Sequence, residues 1–322
     1  MQDMKKETLS IVIPAYNEEG NIARTAKTVL EIMEREHISA AVYFVDDGSK
    51  DGTWAQIEKA AGASDAVRGV RFSRNFGKEA AIFAGLEAAL GDCCAVMDCD
   101  LQHPPETLVE MYKLWQAGYE VIEGVKEDRG RESVFYKTMT KVFYGIMSAA
   151  VKMDMSRTSD FKLMDRKAVD ALIALPERST FFRALSGWVG YKTTTVGYEV
   201  QAREIGESKW STLSLVKYAI RNITSFTTQP LQIVTGLGVL FFILAVIQGI
   251  ECIVTYVTHR ALEGFTTVIL IQLITGSIVM LSLGIIGGYI AKIYEEVKGR
   301  HRYIVAKTAG LPDQRELDHD AV

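Results

Sequence analysis

Apolar residues come in short dense runs over the first hundred positions, and each run breaks into a polar cluster. Residues 9–13, LSIVI, are rich in β-branched side chains and stop at Pro14, the pattern of a buried strand. A helical spacing follows from Glu18 to His37. The run AAVYFV (40–45) then enters the turn-rich DDGSKDGT, with a helix start at Asp51. Arg68–Phe72 predicts a third strand, Lys78–Leu90 a helix and Cys93–Met97 a fourth strand. Strands alternating with helices predict an α/β fold: a mostly parallel central sheet, right-handed crossovers and helices on both faces. In such sheets ligands bind beyond the carboxyl ends of the strands. The clusters PAYNEE, DDGS, SRNFGK and DCDLQ all fall there.

The pattern changes in the second half. Val134–Val151 and Thr212–Thr228 have apolar residues near helical spacing with lysines and arginines between them. Two readings stay open for both: core-facing helices, or helices lying in a membrane interface. Asn222–Ile250 and Gly264–Ala291 contain no Asp, Glu, Lys or Arg, and each exceeds the roughly 20 residues needed to cross a bilayer. The expected organisation is a catalytic domain over 1–210, an amphipathic interface helix over 211–228, membrane helices over 229–258 and 265–291, a short external loop over 259–264 and a tail over 292–322. Lys209, Lys217 and Arg221 precede the first span; Lys292, Lys298, Arg300, Arg302 and Lys307 follow the second. The connecting turn holds only Arg260, so the positive-inside rule predicts both termini and the large domain in the cytosol.

Composition narrows the field further. A formal net charge of −4 over 322 residues does not suggest a nucleic-acid partner. Cys93, Cys94, Cys99 and Cys252 show neither a CxxC pair nor zinc spacing, which fits a reduced, cytosol-facing compartment. The N-terminus meets acidic residues before any long apolar core forms, so no signal peptide is expected. Trp188 is expected to be packed inside.

The chemistry concentrates in AVMDCDLQHPPE, residues 95–106. Asp98 and Asp100, two apart at a strand end, face one side if the backbone stays extended, as does Gln102. Such close carboxylates are tolerable around a hard divalent cation, Mg²⁺ or Mn²⁺, which also takes phosphate oxygens from a substrate.

The ordered set SIVIPAYNEEGNI, VDDGSKDGT, SRNFGKEAAIFAGLEAA, DCDLQHPPE, SDFKLMDR and REIGESKW resembles the GT-A glycosyltransferases of family 2. With the twin spans, residues 8 to 300 are similar to the polyprenyl-phosphate glycosyltransferases, which include dolichol-phosphate mannose synthase and bacterial GtrB-like enzymes. The resemblance implies a nucleoside pocket formed by Pro14, Tyr16, Glu18, Asp46 and Asp47. It places Arg74 and Lys78 against the nucleotide, and gives Asp98, Asp100 and Gln102 to the ion on the diphosphate. Asp160 is assigned to acceptor orientation or a sugar hydroxyl. Arg183, Ser208 and Lys209 match family positions around the diphosphate and acceptor, and Arg129 and Arg131 are candidates for the lipid phosphate. Relatives commonly have an acid where this chain has His103, which is read as lying outside the ion's ligands.

The implied activity is inverting transfer of a hexose or N-acetylhexosamine from a nucleotide sugar to undecaprenyl phosphate at the cytoplasmic membrane face. UDP is favoured over GDP. A separate flippase, a downstream transferase and self-association are expected. Two other readings are a transferase with a hydroxyl acceptor such as a glycan, and a non-catalytic membrane-tethered module that binds nucleotide sugars. Two spans are few for a processive pore, and intact Asp98, Asp100 and Gln102 weigh against a binding module.

Overall fold

A computed structural model describes residues 8–126, 158–177, 181–199, 229–258 and 265–311, together with Gly145 and Ser148, both helical. The chain divides into two compact units, one comprising Met1–Ser211 with His301–Val322, the other Thr212–Arg300.

The first unit is built on an eight-stranded sheet of order β7-β5-β6-β4-β1-β2-β3-β8. Its strands are β1 Leu9–Ala15, β2 Ala40–Asp46, β3 Val67–Phe72, β4 Cys93–Val96, β5 Val121–Lys126, β6 Lys162–Asp165, β7 Thr193–Tyr198 and β8 Val305–Ala309. The four strands foreseen from the hydrophobic runs, β4-β1-β2-β3, are the parallel centre. Around it β6 runs antiparallel to β4 and β5, β7 parallel to β5, and β8 antiparallel to β3.

Period-two alternation divides the core. Leu9, Ile11 and Ile13 of β1 pack with Val42 and Phe44 against Ile22, Ala26, Val29 and Met33 of α1 (Ile22–Arg35), whose apolar stripe has helical spacing. The same face takes Trp54 and Ile57 of α2 (Thr53–Ala63) and Leu108 and Met111 of α4 (Pro105–Gln116). On the opposite face, Val45, Val70 and Phe72 meet Ala80, Ala81 and Ala84 of α3 (Lys78–Ala88). Here α3 lies close to β1: a Cβ on Gly85 would stand 2.2 Å from a Val12 methyl. Burying an Ile, Val or Leu side chain contributes roughly 1.5–3 kcal/mol each, so these two layers hold the strand ends in register. The unit also contains α5 (Arg166–Ile173) and α6 (Phe182–Trp188).

Several expectations are corrected. The first helix begins at Ile22, not Glu18, because Asn17–Glu19 bond to the β2–α2 loop. The tail expected over 292–322 does not begin at 292. The second long apolar helix runs to Val297, and residues 305–309 form the edge strand β8 of the sheet. Trp188 is 58% exposed rather than packed inside.

In the second unit, α7 (Gln229–Val257, 29 residues) and α8 (Phe265–Val297, 33 residues) are both long and apolar enough to cross a membrane. At about 1.5 Å per residue each outreaches a hydrocarbon core of roughly 30 Å. Phe242, Ile253 and Met280 project outward from them, which suits a lipid solvent and not water. The expected interface segments 134–151 and 211–228, the loop 259–264 and the sites Arg129, Arg131, Ser208 and Lys209 lie outside the described residues, save Gly145 and Ser148.

Candidate functional site

The parallel strands deliver their polar clusters to one end of the sheet, where the clusters bond to one another. Asn17, at φ +56°, donates its backbone N–H to Ser49 Oγ (2.9 Å) and accepts from the Lys50 N–H (3.0 Å). The Glu18 N–H donates to Thr53 Oγ1 (2.8 Å), and the Gly52 N–H to Glu19 (2.7 Å). Tyr16 stands at the surface beside them. Glu18 accepts from Asn21 Nδ2 (2.6 Å).

Asp46 and Asp47 are buried and face inward to the protein. Asp46 accepts from the Ser49 N–H (2.8 Å) and lies 3.2 Å from Arg71 Nε. Asp47 accepts from the backbone N–H groups of Phe76 (2.6 Å) and Gly77 (2.9 Å), and so pins the loop leading into α3. Burial pushes the Asp47 carboxyl up despite these donors. Gly48 between the loops has φ +66°, and a Cβ there would lie 2.4 Å from the Arg74 backbone carbon, so only glycine fits. Arg74 is exposed, its guanidinium 4.0 Å from the Phe76 ring centroid.

The next layer is a chain of alternating charges. Lys78, first residue of α3, places Nζ 2.6 Å from Asp98 and 3.1 Å from Asp160. Arg183 of α6 grips Asp160 with both prongs, Nε to Oδ1 at 2.7 Å and Nη2 to Oδ2 at 2.9 Å. Burial favours the neutral acids, but Lys78, with Arg183 at Asp160, outweighs it and holds Asp98 and Asp160 below the usual carboxylate range, Asp160 far below. The same two carboxylates overcome burial at Lys78 and hold its ammonium well above the ordinary lysine value. Two cations facing two anions leave the cluster balanced, with Lys78 partly open to solvent.

The chain does not stay extended past β4. Leu101 takes φ +55°, and the turn brings the Gln102 N–H to Asp100 Oδ1 (3.1 Å). The simple alternation expected for Asp98, Asp100 and Gln102 therefore stops at Asp98. His103 stacks on Phe161 (centroids 4.5 Å, 3° between planes) and accepts the Asp98 N–H at Nδ1 (3.3 Å). Burial pushes its imidazole below the ordinary histidine value.

Among the described residues no three His, Cys, Asp or Glu side chains gather to hold a metal ion by themselves. Asp98 and Asp100 offer hard carboxylate oxygens, the donor type that Mg²⁺ or Mn²⁺ takes one or two of while completing its shell with water and substrate phosphates.

Some residues of the site were not foreseen. Glu79 accepts the Phe182 N–H (2.8 Å), and burial, reinforced by Asp160, pushes its carboxyl up to about 7. Lys162, Glu123 and Ser186 form a buried polar group behind Asp160 and Arg183. An acid in a helix first turn or a lysine in a short strand has no distinguishing local signal.

Comparison with known proteins gives the chain's relatives. The sequence profile described as Glycosyl transferase family 2 matches residues 10–185. An uncharacterized glycosyltransferase of Bacillus subtilis, YkcC, is 38% identical over 95% of this chain and 95% of its own length. The SfII prophage-derived bactoprenol glucosyl transferase of Shigella flexneri is 34% identical over 93% of this chain and 98% of its own. Among solved structures, Mycobacterium tuberculosis glucosyl-3-phosphoglycerate synthase aligns with a TM-score of 0.49 at 18% identity, over 68% of this chain and 78% of that one.

Proposed function

The chain belongs to glycosyl transferase family 2, and from that premise we propose that it moves a sugar from a nucleotide sugar, UDP-linked by preference, to a polyprenyl phosphate at the cytoplasmic face of a membrane, with inversion at the anomeric carbon. The observation that carries the reading is the Lys78–Asp98–Asp160–Arg183 cluster at the carboxyl ends of parallel strands, in a chain with two helices of membrane length. The bactoprenol glucosyl transferase of Shigella flexneri, alike over almost its whole length, supports a lipid-phosphate acceptor.

In this reading the nucleoside rests among Pro14, Tyr16, Glu18 and the loops that Asp46 and Asp47 fasten. Arg74 and Lys78 receive the diphosphate. Asp98, Asp100 and Gln102 hold a divalent ion, which supplies charge neutralisation for the departing diphosphate. Arg183, Ser208 and Lys209, which match family positions, gather the acceptor phosphate with Arg129 and Arg131, which precede the amphipathic segment 134–151, through charge-assisted hydrogen bonds.

Asp160 follows from its surroundings. A carboxylate held ionised by Lys78 and Arg183 is a poor proton acceptor near neutral pH. A phosphate monoester with its second ionisation near 6 needs no proton removed. Asp160 therefore orients the two cations and the sugar, and the acceptor attacks already ionised.

The test is direct. Purified membranes are incubated with labelled UDP-sugars, with and without undecaprenyl phosphate. Label that enters the organic phase only when lipid and Mg²⁺ or Mn²⁺ are present supports the proposal. Label that enters a water-soluble glycan, or full transfer after chelation, overturns the acceptor or the ion respectively.

A further inference from the structure

Behind the charged cluster a lysine is wholly enclosed in a strand. Lys162, in β6, has no exposed surface, a costly place for an ammonium unless every donor is met. Its three donors have three targets: Glu123 Oε1 at 3.0 Å, Ser186 Oγ at 2.5 Å and the face of Phe182, 5.0 Å from the ring centroid. Glu123 sits directly opposite on β5.

Each partner leads to the reaction site. The second oxygen of Glu123 accepts the Ser159 N–H (3.0 Å), which fixes the backbone just before Asp160. Ser186 Oγ donates to the Arg183 carbonyl (3.3 Å), one turn back in α6. Phe182 is the neighbour of Arg183, and its own N–H is taken by Glu79. One ammonium thus joins the segment presenting Asp160 to the helix presenting Arg183. A buried ion pair is seldom worth more than apolar residues of equal volume, so fold stability alone does not account for it.

We infer that Lys162 is a positioning residue for sugar transfer, with Glu123 and Ser186 as its two anchors. It sets the distance and angle at which Arg183 meets Asp160, and through Asp160 the placement of Lys78. The inference rests on the proposed reaction only in its kinetic consequence.

The test uses full-length protein in detergent. Lys162→Met alone leaves Glu123 buried without its cation and is expected to unfold more easily. The double variant Glu123→Gln/Lys162→Met keeps an acceptor for the Ser159 N–H and replaces the ion pair by neutral groups of similar length. Its melting temperature is expected to return to within a few degrees of wild type, while kcat stays about 10- to 100-fold down, the scale of a misplacement near 1 Å, with donor KM within about threefold. Ser186→Ala, which cuts the hydrogen bond from Lys162 to α6 and leaves the Phe182 contact, is expected to lower kcat in the same direction.

A second readout is independent of the reaction. In ¹⁵N-arginine spectra, the Nε–H signal that disappears in Arg183→Lys is expected to be shifted downfield in wild type by the bidentate pair, and to lose that shift in the double variant. A folded double variant with wild-type kcat, or with an unmoved Arg183 signal, overturns the inference. A wild type that glycosylates no polyprenyl phosphate overturns the proposed function instead, and the Arg183 signal still decides the positioning role.

Discussion

At the scale of single residues, charge neighbours outweigh burial at Lys78, Asp98 and Asp160, whereas burial wins at Asp47 and Glu79. Lys78 is shared by Asp98 and Asp160, so Lys78→Met leaves two carboxylates facing one another. Loss of this cation is expected to lower kcat/KM about 10²–10³-fold, the range for removing a preorganised charge partner, measured by lipid-product formation. The stability cost is smaller, about 1 kcal/mol, because the ammonium is partly open to solvent.

The titrations have opposite signs. Asp98 and Asp160 are depressed, so their contribution is complete above the ordinary aspartate value near 3.9 and disappears as pH falls below it. Glu79 is raised to about 7. Between its ordinary value near 4.3 and 7 the folded protein keeps a proton that the unfolded chain releases, so stability falls as pH rises across that window. Glu79→Gln, which keeps an acceptor for the Phe182 N–H, is expected to lose less melting temperature than wild type between pH 5 and pH 8. An identical decline in both proteins would mean that Glu79 titrates as an ordinary surface acid.

At the scale of elements, β8 closes an edge of the sheet. Tyr303 stacks on Phe72 (centroids 4.9 Å, 15° between planes), and its hydroxyl meets Glu87. Arg302 donates to the carbonyls of Leu175 and Glu177. Tyr303→Ala is expected to cost about 2 kcal/mol, combining ring burial with the aromatic pair, and to lower the melting temperature of the catalytic unit by roughly 4–8 °C. Differential scanning fluorimetry would read it, and a shift below one degree would show that β8 is not held by this contact. The parallel strands and α3 were legible because short apolar runs ending in Pro14, Asp46 and Asp98 have few other uses. Strand β8 was not, since VAKTA is short, partly exposed and has no dense apolar run, and becomes a strand only because β3 offers an unpaired edge.

At the scale of the whole molecule, α7 and α8 are each long and apolar enough to cross a membrane, and two crossings would return both ends to one side. With basic residues before the first and after the second, a phosphatase reporter inserted at 261 is expected to be active only outside the cytoplasm, and a fluorescent protein after Val322 to fluoresce inside. The reverse pattern would place the catalytic unit away from cytosolic nucleotide sugars and would end the proposed function.

The sequence by itself determined what depends on local pattern: the parallel α/β centre, the presence of two long apolar helices, the strand ends that carry Asp46 and Asp98, and the helix start at Lys78. Hydrophobic period and turn chemistry act over a few residues and can be read along the chain. Only the tertiary structure decided that Asp47 spends its carboxylate on the Phe76 and Gly77 backbone, that Lys78 is shared between Asp98 and Asp160, and that Lys162 is sealed between Glu123 and Ser186. Those pairings join residues 20 to 82 positions apart. Their energies depend on distance and dielectric in space, which no short window of sequence contains.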